Sequence, residues 1–290
     1  KLAAAGVNYI DTYKRSGQYK VTLPFTLGEE GAGVVDALGA SVTGFAVGDA
    51  VAWVSAPASY AEYVLLSAEK AIPVPPGVDL ARAAAVLLQG MTAHFLALST
   101  WSLQPGQTAL VHAAAGGVGL LLTQIAKKRG AKVIGTVSTT EKAQLARHAG
   151  ADEVILYTEQ DFEVEVKRIT GGAGVDVVYD SVGATSFMQS LNSLKPRGLL
   201  ALYGQSSGAV PAFDPQLLAA KGSLFITRPT LGSYTSTREE LLWRAGDLFS
   251  WMQAGSLAVL VDKTFPLADA PAAHRYLQSR ASKGKLLLTP

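Results

Sequence analysis

Thr108 to Gly119 reads Thr-Ala-Leu-Val-His-Ala-Ala-Ala-Gly-Gly-Val-Gly, followed by the apolar run Leu120 to Ala126. Thr108 to His112 has the look of a short buried strand, Ala114 to Gly119 of a tight turn, and Leu120, Leu121, Ile125 and Ala126 recur at helical spacing. Strand, glycine turn and helix in that order can hold a pyrophosphate. The first amides of the helix lack carbonyl partners, and the helix dipole is positive at that end. Ala115, Gly116, Gly117 and Val118 would line the anion. Gly116 lets the backbone approach it, and Gly119 lets the helix lie close on the strand. The place usually held by the first glycine is taken by Ala114, so a glycine turn without a ligand is an open alternative.

The second strand, Lys132 to Val137, ends in Ser138-Thr139-Thr140-Glu141-Lys142. A protein built for NAD places Asp or Glu there to hold the ribose hydroxyls. A small hydroxyl at Ser138 with Lys142 one helical turn later suits a phosphate better, which favours NADP. Glu141 opposes that unless it points away, as a place in the first helical turn permits. Lys142 as a solvated helix residue is the bland alternative.

The elements that must position these residues follow an alternating pattern. Further strands are expected at 153–156, 175–179, 198–203 and 223–227, with helices at 141–148, 162–170 and 186–194, so the middle of the chain should form a six-stranded parallel sheet wound in two mononucleotide-binding halves. A long helix is expected at 237–254, started by Ser236-Thr237 ahead of Glu239-Glu240. Residues 1–88 are rich in glycine and β-branched residues. Strands at 31–36, 50–54 and 60–64 predict a small β unit, a barrel or a strongly bent sheet, closed by the rigid Pro73–Gly77 break. Strands at 259–266 and 285–288, with a helix at 270–281 between them, should return to it. The expected division is therefore 1–88 with 262–290, and 89–261. The fold class is α/β: a doubly wound parallel sheet plus a discontinuous β domain.

The 290 residues are 49% apolar and 17% charged with a net charge of +2, enough for two cores and too little charge to suggest nucleic acid or a membrane surface as partner. No run reads as long and apolar enough to span a bilayer, and no secretory signal is seen. There is no cysteine, which fits a cytoplasmic chain and leaves no thiolate for zinc. The chain opens at Lys1 inside what reads as an ordered segment, so a preceding N-terminal piece is expected.

Taken together, Asn8–Tyr13, His112–Gly119, Tyr179–Gly183, Gly204–Gly208 and Thr227–Pro229 resemble the zinc-free quinone oxidoreductases of the medium-chain dehydrogenase/reductase superfamily. The ζ-crystallin-like proteins are among these, and the likeness is strongest to the bacterial NADPH:quinone reductases. The resemblance runs from end to end. It implies a GroES-like barrel and a Rossmann domain with a cleft between them, a homodimer, NADPH as hydride donor and a quinone as acceptor. It implies that Asn8, Tyr9, Ile10, Asp11, Thr12 and Tyr13 line the nicotinamide end. Ser138, Thr139 and Lys142 should meet the 2′-phosphate, and Tyr157 the adenine ribose. Ser181, Tyr203, Gly204, Gln205 and Ser206 should face the nicotinamide half, and Arg280 the phosphates. Zinc-dependent members carry Gly-His-Glu where this chain has Gly28-Glu29-Glu30, so no metal is expected.

Several residues keep two readings. His112 is a functional ring beside the turn or one bonded locally. Asp11 is a carboxylate acting on substrate or a local hydrogen-bond acceptor. Tyr9 and Tyr13 wall the acceptor or belong to the core. Thr92 contacts the cofactor or packs a helix. Quinone reduction needs mainly that nicotinamide and acceptor be held close and dry, with Asn8, Tyr9 and Tyr13 as the expected contacts and no proton donor singled out. The alternatives are reduction of an activated C=C bond, with Tyr13 or Tyr203 protonating the enolate, and a non-catalytic NADPH-binding protein.

Overall fold

The computed structural model describes residues 1–290. The chain forms two compact units, Lys1–Met91 with Tyr234–Pro290, and Thr92–Ser233.

The first unit contains β1 (Leu2–Val7), α1 (Tyr9–Arg15), β2 (Glu30–Val34), β3 (Ala50–Val54), β4 (Ile72–Pro73) and the start of α2 (Leu80–Phe95). The second runs through β5 (Thr108–Val111), α3 (Gly117–Lys128), β6 (Lys132–Val137), α4 (Thr140–His148), β7 (Glu153–Leu156) and α5 (Phe162–Ile169). It continues with β8 (Val175–Asp180), α6 (Phe187–Asn192), β9 (Leu194–Leu202), α7 (Gln216–Ala220), β10 (Phe225–Thr227) and α8 (Leu231–Tyr234). The chain then completes the first unit with α9 (Arg238–Gln253), β11 (Val261–Pro266), α10 (Ala270–Gln278) and β12 (Lys285–Thr289).

In the second unit every strand pair is parallel, in the order β10-β9-β8-β5-β6-β7. Counted from β5, this is the Rossmann order 3-2-1-4-5-6, whose direction reverses between β5 and β8. Leu110, Ile134, Ile155, Val178 and Leu200 come from five neighbouring strands and join Phe162, Val166, Phe187 and Leu191 of α5 and α6 in one buried cluster. A sheet covered by helices reads as near-continuous apolar strands, which is why these were legible. The helix starts also follow their chemistry: Asp161 accepts from the amides of Glu163 and Val164 at 2.9 and 3.1 Å, and Thr237 from that of Glu240 at 3.1 Å.

The first unit holds a six-stranded sheet in the order β11-β12-β1-β2-β3-β4, antiparallel except for β11 on β12. Its core gathers Leu2, Val7, Val51, Trp53, Leu277, Leu286 and Leu288. Across this sheet runs a buried ion pair. Lys285 on β12 reaches Glu30 on β2, passing β1 at Gly6. A methyl on Gly6 would meet the Glu30 carboxylate and would lie 2.6 Å from Lys285 Nζ, so only glycine leaves the pair its path.

The structure departs from expectation in four places. Residues 60–64 form no strand: the Tyr60 amide bonds to Leu27 O and Glu62 O accepts from Leu2, two separate partners instead of one ladder. The alanine-rich Leu2–Val7 is a strand, although small side chains give it no clear alternation. Residues 234–261 lie with the first unit, not the second, because Arg238 donates to the carbonyls of Glu69 and Ala71 at 2.6 and 2.7 Å and Gln253 to that of Pro76 at 3.1 Å. Finally, Leu80–Thr100 is a continuous 21-residue helical stretch long and apolar enough to cross a membrane by length and composition. This corrects the expectation that no run is long and apolar enough to span a bilayer; 78% of the apolar window is buried in the protein, as for a core helix.

Lys285→Met leaves Glu30 buried without its counter-charge and should cost about 3–5 kcal/mol of unfolding free energy. Denaturant unfolding measures this, and Lys285→Met with Glu30→Gln should recover a large part of the loss.

Candidate functional site

The ends of the parallel strands gather most of the residues singled out in the second unit. After β5 the chain turns sharply at Ala113, which takes a positive φ of 51°, and enters α3 with Gly116 as N-cap. No side chain caps this helix, so its first amides are presented by the backbone alone, with Gly117 and Val118 in its opening turn. A methyl at Gly119 would collide with the Ala113 carbonyl and lie 2.7 Å from Ala114 Cα, so glycine is required for the helix to press on the turn. A methyl at Gly116 would meet only the Ala113 carbonyl, at 3.2 Å. Ala114, in the place of the usual first glycine, is fully buried. Its methyl is accommodated because position 135 on β6 is glycine, where a Cβ would approach Ala114 Cβ to 2.7 Å.

Ser138 and Thr139 follow β6, and Thr139 caps α4 by accepting from the Lys142 amide at 3.3 Å. Lys142 is therefore in the first turn, on the strand-end side of that helix. Tyr157 follows β7 and is 42% exposed, so its ring face is open. Ser181 follows β8. Its carbonyl accepts from the Ser206 amide at 3.1 Å, and Gly204 has no room for a Cβ against it. Tyr203 follows β9, and burial pushes its phenol above the ordinary value. Thr92, in α2, is buried. The phosphate turn, Ser138–Lys142, Tyr157, Ser181 and Tyr203–Ser206 thus share the carboxyl edge of one sheet, and β5 and β8 flank its switch point. Open parallel sheets take ligands at that edge. Backbone donors, a cationic side chain and hydroxyls along it fit a phosphorylated dinucleotide.

His112 takes the local reading. Both ring nitrogens are occupied, by Thr136 Oγ1 at 2.9 Å and Ser190 Oγ at 3.0 Å, and its edge packs on Phe162. Burial lowers its pKa.

In the first unit, Asn8–Tyr13 covers the start of α1. Asn8 is buried, and all four of its side-chain hydrogen-bond positions are taken. Its carbonyl accepts from Gln89 and, at 3.0 Å, from Lys285; its amide donates to Glu30 at 2.9 Å and to Gly6 O at 3.3 Å. Lys285 loses basicity through burial, against the opposing pull of Glu30. Tyr9 donates to Leu277 O at 3.1 Å and packs on the core. Tyr13 stands between Tyr9 and Tyr19, with ring centroids 6.1 and 5.3 Å away. Thr12 is buried, its hydroxyl on Tyr9 O, and Ile10 is half-buried. Asp11 is fully buried, accepts from the Asn8 amide at 2.8 Å and from Tyr60 at 2.9 Å, and its pKa is pushed up to about 7, chiefly by burial. Arg280 lies beyond α10, exposed, with φ 61°.

Gln89, Glu30, Lys285, Tyr60 and His274 had no functional reading from sequence. The available signal was charge in apolar context: Lys285 opens the strand Lys-Leu-Leu-Leu, and Glu30 stands inside Gly-Glu-Glu-Gly-Ala-Gly.

The chain matches the family model for the alcohol dehydrogenase GroES-like domain over residues 1–76 and that for zinc-binding dehydrogenase over residues 117–245. It is 46% identical to a quinone oxidoreductase of Pseudomonas aeruginosa over 289 residues, 99% of this chain and 89% of that protein. The chain belongs to the quinone oxidoreductase family of the medium-chain dehydrogenase/reductases. A 2-haloacrylate reductase of a Burkholderia species is 45% identical, again over 99% of this chain and 89% of that protein. The crystal structure of Escherichia coli quinone oxidoreductase complexed with NADPH superimposes with a TM-score of 0.97 at 45% identity, covering 100% of this chain and 90% of that one. The zinc in one model's description does not suit the residues present. There is no cysteine, Glu29 is ion-paired with Lys14, and no three His, Asp or Glu side chains converge.

Gly119→Val should separate α3 from its turn and abolish binding of both NADPH and NADH, read by quenching of tryptophan fluorescence on titration. Asp11 has a higher pKa in the fold than the 3.8 of the free side chain, so its contribution to stability is whole below that value and is lost as pH rises through about 7. Asp11→Asn, which cannot ionise, should therefore gain melting temperature relative to wild type as pH is raised across that window.

Proposed function

We propose that this chain is an NADPH-dependent quinone reductase that works without a metal. The observation that carries this is the carboxyl edge of the Rossmann sheet. It combines an uncapped helix start pressed on its turn by Gly119 with a hydroxyl and lysine group, Ser138, Thr139 and Lys142, where an NAD protein would carry a carboxylate. The 45% identical relative whose structure is complexed with NADPH supports the same cofactor, and the relatives named quinone oxidoreductase support the acceptor.

In this reading residues 92–233 hold the nucleotide. The amides of Ala115–Val118 take the pyrophosphate; Ser138, Thr139 and Lys142 the 2′-phosphate; Tyr157 the adenine ribose. Ser181 and Tyr203–Ser206 border the nicotinamide half, with Thr92 and Arg280 as further cofactor contacts. Residues 1–91 with 234–290 supply the acceptor side through Tyr9, Ile10, Thr12 and Tyr13. Asn8 acts there as the fixed post of α1, since its side chain has no hydrogen-bond position to spare. NADPH supplies the hydride; the protein's part is to bind, align and keep water away. The reading takes the chain as a homodimer, supported by Phe225, 58% exposed on the edge strand β10.

Reduction of an activated C=C bond is the second reading. It is favoured by the similarity to the 2-haloacrylate reductase and by Tyr203, whose phenol stays protonated at the strand end. Turnover of 1,4-benzoquinone against that of an enone separates the two: quinone should win, and a preference for the enone would reverse the order.

Lys142→Ala should weaken NADPH by about 1–3 kcal/mol, the range for a hydrogen bond to a charged group, while leaving NADH nearly unchanged. Side-by-side titration with the two cofactors reads this, and equal losses would remove Lys142 from the 2′ site.

A further inference from the structure

Asp180 ends β8 beside the switch point and is fully buried. Its carboxylate meets four donors. Oδ1 accepts from the Val182 amide at 2.7 Å and from the Gly183 amide at 3.0 Å. Oδ2 accepts from the hydroxyls of Ser186 at 2.7 Å and Ser190 at 3.0 Å. Two bonds to each oxygen fill the group's acceptor positions. The main-chain carbonyl of the same residue accepts from the Tyr203 amide at 2.8 Å and from the Gly204 amide at 3.3 Å. One residue thus holds both the loop after its own strand and the loop after β9.

These loops are also joined to each other. Ser181 O accepts from the Ser206 amide at 3.1 Å. Val182 O accepts from the Ser207 amide at 2.8 Å and from its hydroxyl at 2.7 Å. Gly208 O accepts from the Ala184 amide at 3.2 Å. Gly183 takes a positive φ of 91°, and a Cβ there would lie 2.6 Å from that same carbonyl. Residues 181–184 and 203–208 are therefore one hydrogen-bonded body anchored on Asp180.

A buried series braces the anchor. A carboxylate only accepts, so the Ser190 proton is committed to Oδ2. His112 Nε2, at 3.0 Å from Ser190 Oγ, is then the donor. Burial disfavours a charged imidazole, so Nδ1 accepts from the Thr136 hydroxyl at 2.9 Å. Thr136, His112 and Ser190 are all buried and direct their protons one after another toward Asp180. They tie it to the ends of β5 and β6.

We infer that Asp180 is the positioning residue for the nicotinamide half of the cofactor. Itself out of reach of any ligand, it fixes the backbones of Ser181–Gly183 and Tyr203–Gly204 through Oδ1 and its carbonyl. This rests on the reading that sets the nicotinamide against Ser181 and Tyr203–Ser206. The adenosine half is assigned to Ser138–Lys142 and Tyr157, which take part in none of these bonds. Asp180 therefore acts on one end of the cofactor and not on the other. Its charge matters because charge-assisted hydrogen bonds are roughly twice as strong as neutral ones.

Asp180→Asn tests this, because it keeps the shape and removes the charge. The new oxygen can face the Val182 and Gly183 amides and the NH2 the two hydroxyls. Ser186 then donates to Gly183 O, already at 3.2 Å, and Ser190 to His112 Nε2, whose proton moves to Nδ1. No buried donor is orphaned, so the fold is retained. Without ligand, hydrogen exchange at the Val182 and Gly183 amides should quicken at least about tenfold. The Kd for NADPH should rise and kcat with 1,4-benzoquinone should fall, each at least about fivefold, as the reacting carbon loses its alignment. Adenosine 2′,5′-bisphosphate, which has the 2′-phosphate and no nicotinamide, should keep its Kd within about twofold. Wild-type exchange at those two amides in the variant, or equal losses for the two ligands, overturns the inference. If NADPH fails to slow exchange at residues 181–183 and 203–206 of the wild type, the nicotinamide is not bordered by them. That result refutes the reading and the inference with it, while exchange in the ligand-free variant reports separately whether the carboxylate holds the loops.

Discussion

The Lys285–Glu30 pair is the constraint on which the first unit depends. Two charges taken out of water are tolerated only when each is answered, and here the answer comes from several segments at once. Lys285 enters from β12, near the end of the chain, and Glu30 from β2. Asn8 joins from the start of α1, and the Leu88 amide and Gln89 from α2, with Glu30 Oε2 accepting from Leu88 at 2.7 Å. β1 passes through this cluster, and Gly6 is there because nothing larger fits. The pair therefore sets the register of three strands and the starting point of α1. Everything assigned to the acceptor side, from Tyr9 to Tyr13, inherits its placement from that point.

The second unit depends on contact of a different kind. The turn after β5 is tight because Gly119 lets α3 touch it and because Gly135 yields room to Ala114. Ala114 stands in the place of the usual first glycine, and a glycine on the neighbouring strand leaves room for its methyl group. In this turn the close approach of backbone segments is provided by Gly119 and Gly135 together. The other residues at that edge are brought together by topology: five strands end on the same side, so residues from 113 to 206 share one rim.

The second unit was largely legible in the chain because its strands are buried on both faces and its helices carry one apolar face, patterns that need no knowledge of partners. The helix starts at Asp161 and Thr237 were legible for the same local reason. Tyr60–Val64 misled because alternation there serves side-chain anchoring: Tyr60 turns inward to Asp11 and His274, and its backbone bonds two separate segments. The return of the chain at residue 234 was hidden because the bonds that fix it, from Arg238 and Gln253 to loop carbonyls, join residues more than 160 positions apart.

The sequence by itself determined the dinucleotide-binding half and the family, since each is encoded in residues close together in the chain. Only the tertiary structure decided what the polar residues of the other half do. It turned Asn8 from a candidate contact into a saturated support, gave His112 a local role, and set Asp11, Tyr60, His274 and Arg15 in one hydrogen-bonded series. The physical reason is that a buried charge or hydrogen bond takes its meaning from partners and from exclusion of water. Both are properties of packing between segments 22 to 277 residues apart, which no local pattern records.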